Sequence, residues 1–291
     1  MLLDANVIEK KRSPRLMKNS FMKMLFLFST LIGLVVLVVL LGTTLLDGWK
    51  YLTVDFFTNF SSSRPSRAGI KGAILGTLWL MAFTTPIAIF LSVGTALYLE
   101  EYAPKNKFTK FVETNIANLA GVPSVVFGLL GLTIFVRQFG LGNSVIAASL
   151  TLSLMIMPVI VVASQEALRT VPLAVREASI GMGASKWQTV SRIILPAAIP
   201  GIITGIILAI SRAIGETAPL VVIGIPVALL TTPSSPLDSF QALPMQIYNW
   251  VKMPQAEFQN LTAAAIIVLL ALLLMMNFVA IIIRNKYSKR F

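Results

Sequence analysis

Apolar residues along the chain are gathered into six stretches, and each is long enough to cross a bilayer. Crossing about 30 Å of hydrocarbon requires about 20 helical residues. The second, third and fourth stretches contain proline, which membrane helices tolerate where neighbouring groups satisfy the freed backbone. The pattern predicts an all-α membrane protein with six transmembrane helices, placed at Met24–Leu46, Gly72–Leu99, Asn115–Val136, Asn143–Ala163, Ile199–Gly224 and Leu261–Ile283.

Basic residues are distributed unevenly among the polar segments that connect these spans. Seventeen of the 24 Lys and Arg residues fall in Met1–Lys23, Glu100–Thr114, Ser164–Ala198 and Arg284–Phe291, and six fall in the segments on the other side. Cytoplasmic loops carry an excess of Lys and Arg, so we expect both termini to be cytoplasmic. The net charge of +12 is mostly this topology signal, and no nucleic-acid partner is expected.

The same pattern predicts how the chain is organised. Residues 1–20 form a basic cytoplasmic tail, 21–71 hold the first transmembrane helix and an outer loop, and 285–291 form a second basic tail. The core at 72–284 holds five transmembrane helices and a cytoplasmic loop at 164–198. A proline-rich outer segment, Ile225–Asn260, is predicted as a loop with a short helix around Ser239–Val251.

Composition excludes several kinds of chemistry. Only 12% of the residues are charged, against about 25% in soluble domains, which agrees with a chain that lies mostly in lipid. Cysteine and histidine are absent, so thiolate catalysis, disulfides and the commonest metal ligands are excluded. The sequence also lacks the glycine-rich G-x-x-x-x-G-K-[ST] loop that binds nucleotide phosphates. We therefore expect no cofactor, no metal and no enzymatic activity in this chain.

The cytoplasmic segment Ser164–Ala198 is the longest between two predicted spans on its side. Gly181 and Gly183 divide it into two short helical pieces, and Ser185 can cap the second. One face of the second piece is apolar, which suits docking into a groove of a soluble partner. That face holds Trp187, Val190 and Ile194.

Within this segment the chain resembles the permeases of ABC importers. Six residues match the family signature EAA–x3–G–x9–I–x–L–P, namely Glu177, Ala178, Gly183, Ile193, Leu195 and Pro196. The resemblance implies a type I importer permease whose loop couples to a cytoplasmic ATPase dimer, on which ATP and Mg are bound. Ser179 departs from the pattern, which prefers alanine, but keeps a small side chain.

Two ionisable residues, Arg212 and Glu216, lie deep within the fifth predicted span. An Arg near the bilayer midplane costs about 2.5–3.5 kcal/mol, so a pairing or a function should offset it. As one continuous helix, the span would place both charges on a face with small residues at which another helix approaches closely. That face consists of Gly201, Gly205, Ala209 and Ala213.

Two interpretations of this charged pair follow from the residues alone. In the first, Arg212 and Glu216 form an internal salt bridge that fixes helix packing. In the second, Arg212 lines a pathway and binds an anion, while Glu216 orients it and limits how tightly the anion is held. The small-residue face also suggests that the pore is shared with a second permease.

The segment around the pair is similar to phosphate ABC importer permeases, particularly the PstA type. Arg212, Glu216 and Thr217 lie in RAIGETAPL, which resembles the stretch R-x-x-G-E-T-A-P-L of that family. The resemblance implies that the three residues line a pathway for inorganic phosphate in a bacterial inner membrane. It also implies three partners besides lipid: a second phosphate permease subunit, the ATPase dimer and an extracytoplasmic phosphate-binding protein.

Other functions remain open at this stage. An ABC permease for another oxyanion, such as sulfate or molybdate, would present similar charges. An ion-coupled secondary transporter could use Arg212 and Glu216 as its ion or proton site, but such proteins usually contain two related halves. The sequence contains no such internal symmetry.

Overall fold

The computed structural model describes the backbone of residues 14–287 and the side chains of residues 18–286, so most of both predicted tails lies outside it. All regular secondary structure among the described residues is helical. In order, its helices are α1 (Pro14–Gly48), α2 (Val54–Thr58), α3 (Lys71–Leu97), α4 (Lys107–Leu119), α5 (Ser124–Gly131), α6 (Val145–Arg169), α7 (Leu173–Gly181), α8 (Lys186–Thr189), α9 (Leu195–Gly215), α10 (Ala218–Ile223), α11 (Leu243–Val251) and α12 (Ala256–Tyr287).

Five helical segments are long and apolar enough to cross a membrane, and they correspond to five of the six predicted spans. A bent pair of helices stands at the third predicted span and makes the number six if it is counted as one span. The first, second, fourth and sixth predicted spans correspond to α1, α3, α6 and α12. Most of their observed ends lie one to ten residues beyond the predicted ones, because hydropathy marks the apolar middle of a helix and not its polar ends. The start of α6 and the end of α3 instead lie two residues inside the prediction.

The third predicted span is wrong as a single helix. The chain forms α4, breaks before Pro123, and continues as α5 and a wider helical turn, Leu132–Gln138. The two halves are bent by 105°. Proline disfavours helical conformation at the residue before it, which gives a local reason for a break here.

The fifth predicted span is also corrected. Its helix begins at Lys186, well before the predicted Ile199, because α8 continues through a wide turn (Val190–Ile194) into α9. It ends at Gly215, and the separate helix α10 follows. The second part of the predicted cytoplasmic loop is therefore continuous with the fifth span.

Helix α6 lies at the centre of the bundle, where it packs on α3 and α9 and most of its residues are buried. On the α3 side, two buried hydroxyls bridge the helices: Ser149 Oγ donates to the carbonyl oxygen of Leu80 (3.2 Å) and Ser153 Oγ to that of Thr84 (3.1 Å). Such bonds join helices where lipid supplies no hydrophobic driving force.

On the other side, the small residues of α9 let it approach α6 closely. A Cβ placed on Gly201 would lie 2.7 Å from the Cβ of Ala167, and a Cβ on Gly205 would overlap Ala163. The predicted close approach is therefore confirmed. Its partner is a helix of the same chain, so this face does not support a pore shared with a second permease.

The outer loop after α10 caps the first turn of α6. Backbone N–H groups of Val145 and Ile146 donate to the carbonyl oxygens of Asp238 and Pro236. The Asp238 carboxylate accepts hydrogen bonds from the backbone N–H groups of Ser234 and Ser235 and from the Ser234 hydroxyl. These bonds hold the pKa of Asp238 below its usual range, because they favour the charged form.

The rest of this outer segment packs into the bundle. The predicted short helix is confirmed as α11, and its first residue, Leu243, is buried together with the three residues before it, Phe240 to Ala242. The Leu243 N–H donates to Thr77 Oγ1 of α3 (2.8 Å). By contrast, α1 is exposed along most of its length and reaches α12 at its final residue, Gly48, which leaves no room for a side chain beside Ala263 and Ala264.

Substitution of Gly205 by Ala should destabilise the fold. The added Cβ would overlap the Ala163 side chain, which has no rotamer to change, and overpacking of this kind costs about 1–3 kcal/mol. Thermal unfolding of the purified chain in detergent measures the effect. Gly33→Ala on α1 is the matched control, since a Cβ there meets nothing within 4 Å; equal melting temperatures for the two variants would contradict the packing described.

Candidate functional site

The charged segment of the fifth span lies at a helix break. Helix α9 ends at Gly215, and Glu216 adopts an extended conformation (φ −78°, ψ 123°). Thr217 then precedes α10, which carries Pro219 in its first turn. The four-residue helical spacing assumed for Arg212 and Glu216 is therefore wrong, because only Arg212 is within the helix.

Arg212 belongs to the exposed face of α9. This face is made of Gly201, Thr204, Leu208, Arg212 and Gly215, whereas Gly205, Ala209 and Ala213 are buried. The prediction that both charges share the small-residue face is wrong for Glu216, which lies beyond the end of the helix, whereas Arg212 is at the exposed edge of that face, on the same side as Gly201. Gly205, Ala209 and Ala213 are turned into the bundle, and Arg212 is on the neighbouring, exposed side of the helix.

The predicted internal salt bridge is not formed. Among the side chains of residues 18–286, no carboxylate oxygen lies within 4.0 Å of the Arg212 guanidinium. Glu216 and Thr217 are half-buried at the start of the break. Arg212 is in the last turn of α9, where the helix dipole favours a positive charge.

Packing between α5 and α10 holds this break in place. A Cβ on Gly128 of α5 would lie 2.8 Å from the Cα of Pro219 and 3.0 Å from the Cβ of Val222. The far end of α10 is held by Asn143, whose Nδ2 donates to the carbonyl oxygen of Gly224 (2.9 Å). The broken third span therefore packs against the broken fifth span and positions Glu216 and Thr217.

At the opposite end of α9, the predicted coupling segment forms a compact helical hairpin. Its turn uses Gly183 with a positive φ of 86°, a conformation that favours glycine. Ser185 caps α8 with the predicted geometry, and Gln188 completes a reciprocal capping box. The signature residues are exposed on α7 (Glu177, Ala178), in the turn (Gly183), and half-buried where α9 begins (Ile193, Leu195, Pro196).

The departure from the family signature at Ser179 has a structural partner. Ser179 is buried against α8, and its Oγ lies 2.8 Å from Oγ1 of Thr189, which is also buried. A hydroxyl here costs little because each group satisfies the other. The substitution therefore joins the two halves of the hairpin.

The predicted apolar edge on the second helical piece is only partly exposed. Val190 and Ile194 face the bundle and are buried, whereas Trp187 is 68% exposed. The continuous helix from Lys186 explains this difference, since its later turns already belong to the membrane bundle. The exposed apolar surface at the tip of the hairpin instead comprises Ile180, Met182 and Trp187.

One ion pair attaches the hairpin to the segment just after α3, and a second joins the end of α6 to the same segment. The sequence did not predict either pair. Arg176 on α7 pairs with Glu101, whose side chain is only 7% exposed, and it donates to the carbonyl oxygen of Leu168 (2.7 Å). Arg169 pairs with Glu100 (3.0 Å). The two acidic residues were visible as an adjacent pair, but no local pattern points to partners 69 and 75 residues away.

Removal of the Arg176 guanidinium should loosen the hairpin. Arg176→Gln leaves Glu101 without its partner in a poorly solvated position, which costs about 1.5–3 kcal/mol. Hydrogen–deuterium exchange over residues 173–190 measures the loss of protection. Arg192→Gln is the matched control, because Arg192 is exposed and forms none of the ion pairs among the described side chains; faster exchange in both variants alike would argue against a specific anchor.

Comparison with solved structures supports the architecture. A structure of the MetNI methionine ABC transporter superposes with a TM-score of 0.63 at 18% identity, covering 78% of this chain and 100% of the other. A bacterial alginate ABC transporter in complex with its periplasmic protein gives a TM-score of 0.62 at 18% identity over 96% and 99% of the two chains. The fold is that of type I ABC importer permeases, which confirms the predicted fold class.

Sequence comparison gives the family. Residues 88–290 match the binding-protein-dependent transport system inner membrane component family. The phosphate transport system permease PstA 1 of Mycobacterium tuberculosis H37Rv is 35% identical over 95% of this chain and 90% of its own length. PstA of Yersinia pestis is 32% identical over 97% of this chain and 96% of its own length. The probable ABC transporter permease YqgI of Bacillus subtilis is 37% identical over 74% of this chain and 76% of its own length. The chain therefore belongs to the binding-protein-dependent inner membrane permeases and, within them, to the PstA type.

Proposed function

We propose that this chain is the permease subunit through which an ATP-driven importer moves inorganic phosphate across a bacterial inner membrane. The observation that carries this proposal is that the Arg212 side chain is exposed on the fifth span. No carboxylate oxygen of the described side chains lies within 4.0 Å of its guanidinium. The names of the PstA relatives support phosphate as the transported anion.

Arg212 is suited to an oxyanion by its chemistry. Its planar fork of donors matches the oxygens of a phosphate group, and the resulting bonds are charge-assisted. Because no carboxylate among the described side chains lies within 4.0 Å of it, the guanidinium is available to an anion that enters along the exposed face of α9. Half-buried Glu216 near the same break adds a negative charge that weakens anion binding, which allows release.

The broken helices suit alternating access around this position. Non-helical backbone is tolerated at membrane depth where protein covers it or where it lines a water-filled path. The break at Glu216 and Thr217 is covered on one side by α5, through the contact of Gly128 with Pro219. The exposed face of α9 with Arg212 is left for the path and for a second permease subunit.

Energy for transport is supplied by another chain, a cytoplasmic ATPase dimer that binds ATP and Mg. The hairpin α7–α8 presents Ile180, Met182 and Trp187 to solvent, an arrangement that suits insertion into a groove of such a partner. Its continuity with α9 gives a rigid route from the ATPase to Arg212. With the hairpin against the ATPase, we expect the hairpin and both termini on the cytoplasmic side, and an extracytoplasmic phosphate-binding protein would deliver the anion at the opposite side.

Loss of the Arg212 guanidinium should reduce phosphate uptake. Arg212→Gln is expected to lower uptake of radiolabelled phosphate by about 10- to 100-fold, the equivalent of one or two charge-assisted hydrogen bonds. Arg212→Lys keeps the charge but not the planar fork and should give an intermediate rate. Membrane abundance of each variant is measured in parallel, so that failed insertion is not mistaken for lost transport.

Arg137→Gln serves as the control, since Arg137 is also exposed and forms none of the ion pairs among the described side chains. Normal uptake by Arg212→Gln would contradict the proposed pathway role. Uptake that is competed by sulfate or molybdate as strongly as by phosphate would retain the permease and reject phosphate as its substrate.

A charge at the hairpin tip should uncouple the permease from its ATPase. Trp187→Glu places a carboxylate at the centre of the proposed interface, where loss of an aromatic anchor costs about 2 kcal/mol or more. Co-purification with the ATPase should fall roughly 30-fold, and ATP-driven uptake should fall with it. Leu230→Glu is the control, because Leu230 is equally exposed in the outer loop; unchanged co-purification of Trp187→Glu would remove the hairpin from the interface.

A further inference from the structure

The corner between α3 and α4 contains two adjoining cavities that the transport function does not use. One, of about 490 Å³, lies between the end of α3 and the face of α4 and is mostly apolar; it is lined by Gly94, Tyr98, Phe108 and Val112 among others. The second, of about 740 Å³, has Lys105, Lys107, Lys110 and Arg169 in its lining. The two share Leu99, Asn106 and Thr109, so they form one continuous surface with an apolar part and a basic part.

The basic part carries positive charge that the protein does not neutralise. Among the side chains of residues 18–286, none of the three lysines has a carboxylate within 4.0 Å. Of the other charged residues in its lining, Arg169 and Glu100 pair with each other, and Glu113 accepts a hydrogen bond from the amide of Gln165 (3.4 Å). The three lysines thus face one carboxylate, that of Glu113. The cavity therefore has a local excess of positive charge that favours an anionic ligand.

The position of the corner matches the headgroup layer of a bilayer. The helical segment Lys71–Tyr102 has 32 residues, which is about 48 Å at 1.5 Å per residue and exceeds the hydrocarbon thickness of about 30 Å. Its end at Tyr102, directly before the lysines, therefore reaches the polar layer.

Helix α4 has the character of a helix that lies in this interface. Phe108 is 73% exposed and Phe111 is 64% exposed, and both project from the side of α4 next to Lys107 and Lys110. A helix with exposed aromatic residues on one face and lysines beside them inserts its apolar face below the headgroups. The bend of 105° between α4 and α5 turns α4 away from the direction of the following half-span, as an interfacial helix requires.

We propose that this corner binds an anionic phospholipid. The headgroup phosphate is held by Lys105, Lys107 and Lys110, and an acyl chain occupies the apolar cavity beside Gly94 and Phe108. Charge complementarity supports the negative headgroup, and the continuity of the two cavities supports a ligand that is both anionic and apolar. A free anion would use only the basic part and leave the apolar cavity empty.

Native mass spectrometry of the full-length chain, purified in mild detergent with the subunits that accompany it, tests the site. Phosphatidylglycerol should remain bound, whereas phosphatidylcholine should not. The variant Lys105→Gln/Lys107→Gln/Lys110→Gln should bind phosphatidylglycerol on the order of 100-fold more weakly, since each lysine near a membrane surface contributes about 1 kcal/mol. The control Lys18→Gln/Lys23→Gln/Lys286→Gln removes the same charge from the ends of α1 and α12 and should retain the lipid.

A second variant tests the acyl chain separately. A Cβ at Gly94 would meet no heavy atom within 4 Å, and Gly94 lines the apolar cavity, so we expect the side chain of Gly94→Leu to extend into that cavity. Phosphatidylglycerol binding should fall about tenfold, and Gly33→Leu on the exposed part of α1 should have no effect. Three results would each overturn the proposal. They are unchanged phosphatidylglycerol binding by Gly94→Leu, equal loss of phosphatidylglycerol in the test and control triple-lysine variants, and displacement of the lipid by millimolar inorganic phosphate.

Discussion

Close contact between α6 and its two neighbours is the constraint on which the rest of the structure depends. In lipid, helices gain no hydrophobic free energy by association, so packing and interhelical hydrogen bonds must hold them. On one side Ser149 and Ser153 donate to backbone carbonyl oxygens of α3. On the other side Gly205 brings α9 against Ala163. These contacts bury one side of α9 in the core, and Arg212 stays on the neighbouring, exposed side.

The two broken spans, the third and the fifth, pack against each other. A helix that ends within the membrane leaves backbone groups without partners unless protein covers them. The end of α9 is followed by α10, which packs against α5 at Gly128, and α5 itself follows the break of the third span. Each irregular segment therefore supports the other, and the Glu216–Thr217 connection is held at a defined place beside the exposed face of α9.

At the other end of α9, electrostatic contacts join parts of the chain that are distant in sequence. Arg176 of α7 pairs with Glu101 just after α3, which attaches the hairpin α7–α8 to the bundle, and Arg169 at the end of α6 pairs with the adjacent Glu100. The continuous helix from Lys186 to Gly215 then connects this hairpin directly to the segment with Arg212. A movement imposed on the hairpin is consequently transmitted along one helix and not through a flexible linker.

The sequence alone determined the all-helical membrane class, the position of most spans and the hairpin with its Ser185 cap. These features depend on local rules: backbone groups in lipid must bond within a helix, and a capping box uses residues three positions apart. Only the tertiary structure decided where the third and fifth spans break, which way Arg212 faces and what pairs with Glu101. A helical wheel assumes an unbroken helix, and it cannot tell which of two faces a neighbouring helix will cover. Here α6 packs on Gly205 and α5 packs on Pro219, so the exposure of Arg212 followed from packing between helices.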